Sequence, residues 1–515
     1  MEPAHRRARA QRRLAHRLRA RLARRDEVRD RRLDRAARAR LRPLPGRRRA
    51  RRRGRRVNDA GRHPPLTPAR KSVYALGDVT INTSLAALSL IYASYFLPQV
   101  VDLRAALAGL VPLIARALDA FADPLMGRIS DRTPWRGGRR RPWFLIGAIP
   151  YGVSFWLLWV DAPFASTEGR FAYYTAIYLV HALSMTVLTV PYMAILPEMA
   201  TDYDARTSLN TYRTLGSLVG VFAAVAVRPV AEALGGGKEG FATAGAIFGV
   251  AMALPWIAVH RVTFERPEFR TRPSEQGHFE SLKVVFFHRT FLQLTLVYIM
   301  GRIAMDLAGA LLILYTTFWL LRPDDFELVM ILFLSSVVLA LPFWLRLSQG
   351  RDKAEVFTIG SLWWAVTSLG LVWITPEWPR WVIFAYVPVV GVGYAVVDLM
   401  PWSMLGEVID QDDLETGERR EGLYNGVFTF LRKLGGALGV FLVMSILDLV
   451  GYRKGAEQSE TAREAIRWMT GAAPAFFLVA GVLLLRAYPL TRRRHEQIRD
   501  QLALRDGAAQ RVPAQ

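Results

Sequence analysis

The chain has 515 residues, 52% of them hydrophobic, and contains no cysteine. It therefore has no disulfide framework, thiol nucleophile, Fe–S cluster or cysteine-ligated zinc. Its formal net charge is +24, and nearly all of this charge lies in residues 1–71, which carry 27 Arg and one Lys against 6 acidic residues. The rest of the chain is nearly balanced, with 40 of the 68 basic and 38 of the 44 acidic residues. The eight His form no HExxH motif, and no glycine-rich segment has the spacing of a phosphate-binding loop. We therefore expect no enzyme.

The arginine-rich segment 1–71 is too highly charged to bury a core and lacks the apolar centre of a secretory signal. Three interpretations remain open: an arm that binds nucleic acid or anionic lipid, a disordered cytoplasmic extension, or a mis-assigned start with translation beginning at or near Val57. No aromatic residue lies between the arginines to stack on bases. We therefore expect no nucleic-acid partner.

Beyond this segment, apolar stretches of about 20 or more residues recur, each long enough to cross roughly 30 Å of hydrocarbon as a helix. The longest break, at 265–289, separates six stretches from six, as in a duplicated transporter fold. The sequence therefore predicts an all-α integral membrane protein with twelve transmembrane helices in two pseudo-symmetric six-helix bundles. The predicted spans are 73–98, 105–130, 143–162, 171–197, 208–234, 241–263, 290–320, 326–347, 355–375, 380–407, 422–450 and 466–489.

The loops differ in charge on the two sides of the predicted membrane. The loop "GRISDRTPWRGGRRRP" after the second span, the central loop and the tail are basic, whereas "DAPFASTEGR" and "GGGKEG" carry one basic residue each. Basic loops stay in the cytoplasm, so both termini are predicted to be cytoplasmic. The predicted domains are a cytoplasmic extension at 1–71, a first bundle at 72–264, a central cytoplasmic loop at 265–289, a second bundle at 290–490 and a basic tail at 491–515.

The second span contains three charged residues on one helical face. Arg116, Asp119 and Asp123 stand at positions i, i+3 and i+7, which places them within a sector of roughly 60°. Two carboxylates one turn apart can share a proton or bind a small cation together, and Arg116 offsets part of their charge. Pro124 leaves the carbonyl four residues before it without a helical partner, so this oxygen could face the same cavity. The alternative is a structural salt bridge between helices.

The eleventh span carries Arg432 and Lys433 about ten residues, or roughly 16 Å, from its cytoplasmic end. A lysine at this depth needs a buried acidic partner or an aqueous cavity, and Asp119 or Asp123 is the candidate partner of Lys433. Arg432 points about 100° away and must serve a different neighbour.

Further ionisable residues lie inside other spans. In the seventh span, Arg302 and Asp306 at i, i+4 can neutralise each other. In the fourth span, His181 could relay protons, although a hydrogen-bonded packing histidine is the more common case. Charged groups inside spans generally mark the route of a solute or ion.

Five motifs carry a resemblance to a known family: "YALGD" at 74–78, "ARALDAFADPLMGRISDRT" at 115–133, "VPYMAILPEM" at 190–199, "YRTLGSLVG" at 212–220 and "REGLYNGVFTFLRKLGGALG" at 420–439. Together they resemble the glycoside–pentoside–hexuronide:cation symporters, the melibiose permease-like branch of the major facilitator superfamily. The resemblance runs collinearly from about residue 72 to 490. It implies the major facilitator fold and cation-coupled transport.

The resemblance also implies site residues. A cation site falls on Asp119, Asp123, Thr186 and Lys433, with Arg116, Arg302, Asp306 and Arg432 as the surrounding charge network. Acidic sugar-contacting positions of the family are Asn82 and Thr189 in this chain, and a tryptophan platform aligns approximately with Asp398. The predicted substrate-binding set is Asp78, Asn82, Thr189, Tyr192, Arg213, Asp398, Thr429 and Lys433.

The predicted function is symport of a sugar or glycoside, driven by a cation, across the inner (cytoplasmic) membrane by a monomer in the bilayer. Ala122 stands where the family has an asparagine ligand, and this favours H⁺ over Na⁺ as the coupling ion, because a proton needs only one acceptor. No other cofactor is expected. The string "PWSMLGEVIDQDD" at 401–413 also resembles the lysophospholipid symporters, so an amphipathic solute is the alternative, and the lining of the cavity discriminates between them. The third hypothesis is a protein that transports nothing and acts as a membrane anchor or nucleic-acid tether through its basic segment 1–71.

Overall fold

Helices occupy all of the predicted spans. The structure is a computed structural model that describes residues 64–133, 135, 137–200, 203–266, 288–417, 421–455 and 457–509. Predictions for residues 1–63, for most of the central loop and for the last six residues lie outside this part of the chain. In the first half, the helices are α1 (Pro68–Ala87, continued as a π-helix over Leu88–Val100), α2 (Ala105–Arg132), α3 (Pro142–Leu158), α4 (Thr167–Met199), α5 (Tyr203–Val225), α6 (Val227–Ala233), α7 (Gly237–Ala253) and α8 (Pro255–Val262).

The described part of the second half contains seven α-helices. They are α9 (Arg289–Leu314, continued as a π-helix over Tyr315–Trp319), α10 (Phe326–Ser348), α11 (Lys353–Gly370), α12 (Arg380–Thr416), α13 (Glu421–Leu449), α14 (Glu460–Leu485) and α15 (Arg492–Ala509).

The number of spans is lower than predicted when length and apolarity are applied as criteria. In the described part of the chain, ten helical segments are long and apolar enough to cross a membrane, and the bent helix α2 makes an eleventh. Helix α3 has 17 residues and ends at Leu158, before the predicted end of the third span at residue 162. The membrane fold is confirmed, and the count of twelve is not.

Helix α2 is bent where its functional residues lie. The axes of Ala105–Asp119 and Phe121–Arg132 differ by 41°. Pro124 accounts for the bend, because it has no N–H to bond the carbonyl four residues earlier and its ring crowds that carbonyl. The bend falls between Asp119 and Asp123 and so sets the angle between the two carboxylates.

Short polar side chains define where several helices begin. Thr67 accepts a hydrogen bond from the backbone N–H of Arg70 at the start of α1, and Ser166 caps α4 in the same way. Ser459 does so for α14. Such caps satisfy amide groups that the first helical turn leaves unbonded.

Buried apolar residues form two core clusters, one drawn mainly from residues 74–259 and the other mainly from 291–498. Large apolar side chains such as Phe121, Leu339 and Leu449 are 77%, 78% and 85% exposed, as expected where lipid surrounds the helices. Between the halves, α2 and α13 pack closely, whereas α5 and α10 touch at few positions. The boundaries of the predicted domains stay a prediction.

Hydrogen bonds tie the two halves together at the end where α1 stops and α2 begins. Arg104 forms an ion pair of 2.8 Å with Asp448. Gln99 donates to the carbonyl of Arg453 over 3.0 Å and accepts a hydrogen bond from the N–H of Gly455 over 3.1 Å. These contacts close the bundle at this end, which the charge of the loops predicts to face away from the cytoplasm.

The absence of native cysteine allows a direct test of this orientation. Glu457 is exposed in the loop before α14, and Gln349 is exposed in the loop before α11 at the opposite end. We expect Glu457→Cys to react with a membrane-impermeant maleimide in intact cells, and Gln349→Cys to react only after permeabilisation. The reverse pattern would show that the predicted orientation is wrong.

Candidate functional site

The two carboxylates of α2 lie against a lysine of α13. Lys433 Nζ is 3.0 Å from Asp123 Oδ2 and 3.7 Å from Asp119 Oδ2. Arg116 Nη1 contacts the same Asp119 oxygen at 2.9 Å, and the hydroxyl of Thr186 donates to Asp123 Oδ1 over 2.7 Å. The structure therefore brings the four predicted cation-site residues and Arg116 into one cluster.

This cluster is neutral and partly closed. Two carboxylates face two basic groups, so a cation can enter only if one basic group releases its partner or if a carboxylate oxygen is free. Asp119 is 2% exposed, and its Oδ1 has no hydrogen-bond partner among the described residues. The described part of the chain holds no group of three His, Asp or Glu that could bind a metal ion.

Three residues of the predicted substrate set form a separate buried cluster. Arg213 binds Asp78 through Nε to Oδ2 at 2.8 Å and through Nη2 to Oδ1 at 2.9 Å. The hydroxyl of Tyr192 donates to the same carboxylate, and its ring is fully buried and stacks on Tyr74. None of these residues lines the cavity that lies between the two halves of the molecule. Their role as substrate ligands therefore stays a prediction.

A central cavity of about 560 Å³ lies between the halves. Its lining comes from α1, α2, α5 and α9–α14, and includes no residue of α4, although the sequence predicted a contribution from the fourth span. Thr189 and Thr429 are likewise outside the lining. The predicted residues that do line it are Asn82, Arg116, Arg302, Asp306, Asp398, Arg432 and Lys433.

The cavity is amphipathic. The charged residues are contributed by α2, α9, α12 and α13, whereas α5 and α10 contribute mainly apolar side chains. The apolar wall thus follows the loosely packed α5–α10 seam between the halves. It comprises Leu218, Val221 and Phe222 of α5, with Met330, Phe333, Leu334, Val337, Val338 and Leu341 of α10.

Two further acidic groups of the lining are already bonded. Arg302 holds both oxygens of Asp306, with Nε 3.0 Å from Oδ2. A side chain at Gly436 of α13 would collide with that carboxylate, since its Cβ would lie 1.7 Å from Oδ2. Asp398 accepts a hydrogen bond of 2.8 Å from Tyr298.

Tyr298 is a site residue that the sequence reasoning missed. Its hydroxyl accepts a bond of 2.9 Å from Trp402 and donates to Asp398. Its ring stacks on Phe428. It could have been found from its position one helical turn before Arg302 on α9, because residues four apart lie on the same helical face.

His181 is a packing residue in this structure. Its two ring nitrogens lie 2.7 Å from Ser84 Oγ and 3.0 Å from Ser154 Oγ, and the ring stacks on Tyr151. A buried imidazole with both nitrogens bonded has the arrangement expected for the packing interpretation.

The buried triad predicts a stability effect. Arg213→Ala should destabilise the protein by about 3–5 kcal/mol, because it leaves the carboxylate of Asp78 buried with Tyr192 as its remaining partner. Asp78→Asn/Arg213→Ala should recover part of this loss, since a neutral amide is cheaper to bury. Thermal unfolding of the purified proteins measures both, and equal loss in the single and double variants would contradict the ion-pair assignment.

Comparisons with known proteins agree with this architecture. The symporter sll1374 of Synechocystis is 29% identical, over 84% of this chain and 96% of its own length. The inner membrane symporter YicJ of Escherichia coli is 27% identical, over 85% and 95%, and the sodium-dependent lysophosphatidylcholine symporter 1-A of Danio rerio is 23% identical, over 85% and 89%.

Solved structures show the same fold. The inward open xylose transporter XylE of Escherichia coli superimposes with a TM-score of 0.57 at 14% identity, over 84% of this chain and 99% of that one. A family model described as MFS/sugar transport protein matches residues 73–492. The resemblance to the glycoside–pentoside–hexuronide:cation symporters is thereby confirmed. The chain is a multi-pass membrane protein that belongs to the MFS/sugar transport protein family.

Proposed function

We propose that the protein is a cation-coupled symporter that works by alternating access, with the cation bound at Asp119 and Asp123. The observation that carries this proposal is the position of Lys433. Its ammonium group lies within 4 Å of both carboxylates and comes from the other half of the molecule. The state of the cation site and the contact between the halves therefore depend on the same ion pair.

The proposed coupling follows from competition for the carboxylates. A cation that binds Asp119 and Asp123 replaces part of the attraction that holds Lys433, and so weakens the α2–α13 contact. Solute in the adjacent cavity then favours the loaded state. By linkage, the solute raises the affinity for the cation by the same factor as the cation raises the affinity for solute.

We propose H⁺ as the coupling ion. Na⁺ requires several oxygen ligands, whereas the cluster offers the carboxylates of Asp119 and Asp123 and the hydroxyl of Thr186, and Ala122 contributes no side-chain oxygen. A proton needs a single acceptor, and Asp119 Oδ1 is buried without a hydrogen-bond partner in the described part of the chain. The named sodium dependence of the Danio rerio relative supports the alternative, Na⁺.

The solute is proposed to have a polar head and an apolar part. The resemblance of the sequence favours a sugar or glycoside, whereas the apolar wall along α5 and α10 favours an amphipathic solute. A glycoside with an apolar aglycone and a lysolipid both meet these requirements. The relatives include a symporter named for lysophosphatidylcholine.

The proposed location is the inner (cytoplasmic) membrane with both termini in the cytoplasm, and the working unit is a monomer. The name of the Escherichia coli relative supports this membrane. The basic loop after α2 supports the orientation, since it contains most of the arginines of the first bundle's loops.

Neutralising either carboxylate should uncouple transport. Asp119→Asn and Asp123→Asn are each expected to abolish uphill accumulation of solute in energised vesicles, while exchange down a gradient persists, because the solute cavity stays intact. Asp131→Asn is the matched control, since Asp131 lies on the same helix but is half exposed and pairs with Arg140. Uphill accumulation by both Asp119→Asn and Asp123→Asn would contradict the site assignment.

Substrate-induced proton movement tests the coupling ion. In de-energised cells without added Na⁺, solute entry is expected to make the medium alkaline, because each entering solute carries a proton with it. The pH of a weakly buffered suspension records this, and Asp131→Asn cells should behave like the wild type. Entry that depends on Na⁺ and moves no protons would show that H⁺ is the wrong ion.

A further inference from the structure

Arg432 lines the central cavity, and among the described residues its side chain has no bonded partner. It lines the cavity next to Lys433 on α13, and consecutive helical residues point about 100° apart, so it is directed away from Asp119 and Asp123. No hydrogen bond or ion pair joins its side chain to the described residues, and the side-chain Nε is buried and unbonded. A guanidinium in the interior of a membrane protein normally has a counter-ion.

The acidic groups near Arg432 are engaged elsewhere. Arg302 holds both oxygens of Asp306, and Asp398 accepts a hydrogen bond from Tyr298. Arg432 lies close enough to Tyr298 and Tyr394 to act electrostatically on both hydroxyls. The Arg432 side chain therefore lines a space whose acidic groups, Asp306 and Asp398, already accept hydrogen bonds from other residues.

Counting charges shows when this space has room for a negative charge. The cavity and the cluster beside it are neutral when the cation site is empty, because four basic and four acidic groups surround them. A bound cation leaves an excess of one positive charge. The groups are Arg116, Arg302, Arg432 and Lys433 on one side, and Asp119, Asp123, Asp306 and Asp398 on the other.

We propose that Arg432 binds an anionic group, a carboxylate or a phosphate, of the transported solute. The guanidinium matches these groups because its planar donors can bond two of their oxygens at once. A solute with one negative charge restores neutrality when the cation site is loaded, so cation and solute each favour the binding of the other. This assignment rests on the proposed function, because it places the solute in the central cavity.

The test compares probes that differ only in the anion. One pair is glucuronate and glucose, and the other is lysophosphatidic acid and the monoacylglycerol with the same acyl chain. Microscale thermophoresis measures their binding to the purified full-length protein in lipid nanodiscs. The wild type is expected to bind one anionic probe at least about tenfold more tightly than its neutral match, and the pair that shows this preference distinguishes carboxylate from phosphate.

Substitution assigns the preference to Arg432. Arg432→Gln is expected to remove the preference and to leave the affinity for the neutral probe unchanged. Arg346→Gln, which alters an exposed arginine at the end of α10, is expected to keep it. If Arg432→Gln does not fold, Arg432→Lys provides the test. It keeps the positive charge but lacks the paired donors of the guanidinium, and should bind the anionic probe at least about threefold more weakly than the wild type.

Two results would overturn the assignment: a wild type without preference for either anion, or an Arg432 variant that binds the anion as the wild type does. The binding assay uses no ion gradient, so it does not depend on uphill transport. Loss of the anion preference in Arg432→Gln together with uphill transport by Asp119→Asn and Asp123→Asn would refute the proposed cation site alone. If Arg432→Gln keeps the anion preference while Asp119→Asn and Asp123→Asn lose uphill transport, only the role of Arg432 is refuted.

Discussion

Charges in the interior of a membrane protein need a counter-charge or an aqueous cavity, because the hydrocarbon offers them no water. Lys433 meets this requirement by lying between Asp119 and Asp123. Its partners are on α2 and the lysine is on α13, so neutralisation of charge also holds the two halves in contact. The site depends on this cross-half ion pair.

Two features of the chain position the carboxylates that Lys433 contacts, and a third makes room for a neighbouring ion pair. Pro124 bends α2 next to the carboxylates, and Thr186 of α4 fixes one of them by a hydrogen bond. Gly436 lets the Arg302–Asp306 pair approach α13 closely. A proline, a threonine and a glycine thus allow charged groups to fit into a tightly packed helical interior.

The sequence predicted the parts of the site that depend on one helix or on depth in the membrane. The spacing of Arg116, Asp119 and Asp123 fixed their common face, and the depth of Lys433 required an acidic partner. In the structure Lys433 contacts both carboxylates. The roles of these residues in binding a cation stay predictions.

Other features depend on tertiary packing and left no such pattern. Tyr298 and Asp398 lie on different helices, 100 residues apart, and nothing in the sequence of either indicates the contact. Asp78, Tyr192 and Arg213 bond to one another rather than facing the cavity, because three helices converge there. The sequence likewise contained no sign of the apolar cavity wall formed by α5 and α10, because apolar residues in a span are equally expected to face lipid.

Competition between Lys433 and the coupling cation is the central claim, and equilibrium cation binding to the purified, solute-free protein tests it most directly. Calorimetric titration with Na⁺ and acid titration of a weakly buffered solution cover both ions. The account predicts that Lys433→Gln binds the coupling cation at least about tenfold more tightly than the wild type, because a positive charge next to the carboxylates has been removed. It also predicts that adding Asp123→Asn reverses this gain. Unchanged or weaker cation binding by Lys433→Gln would contradict the account.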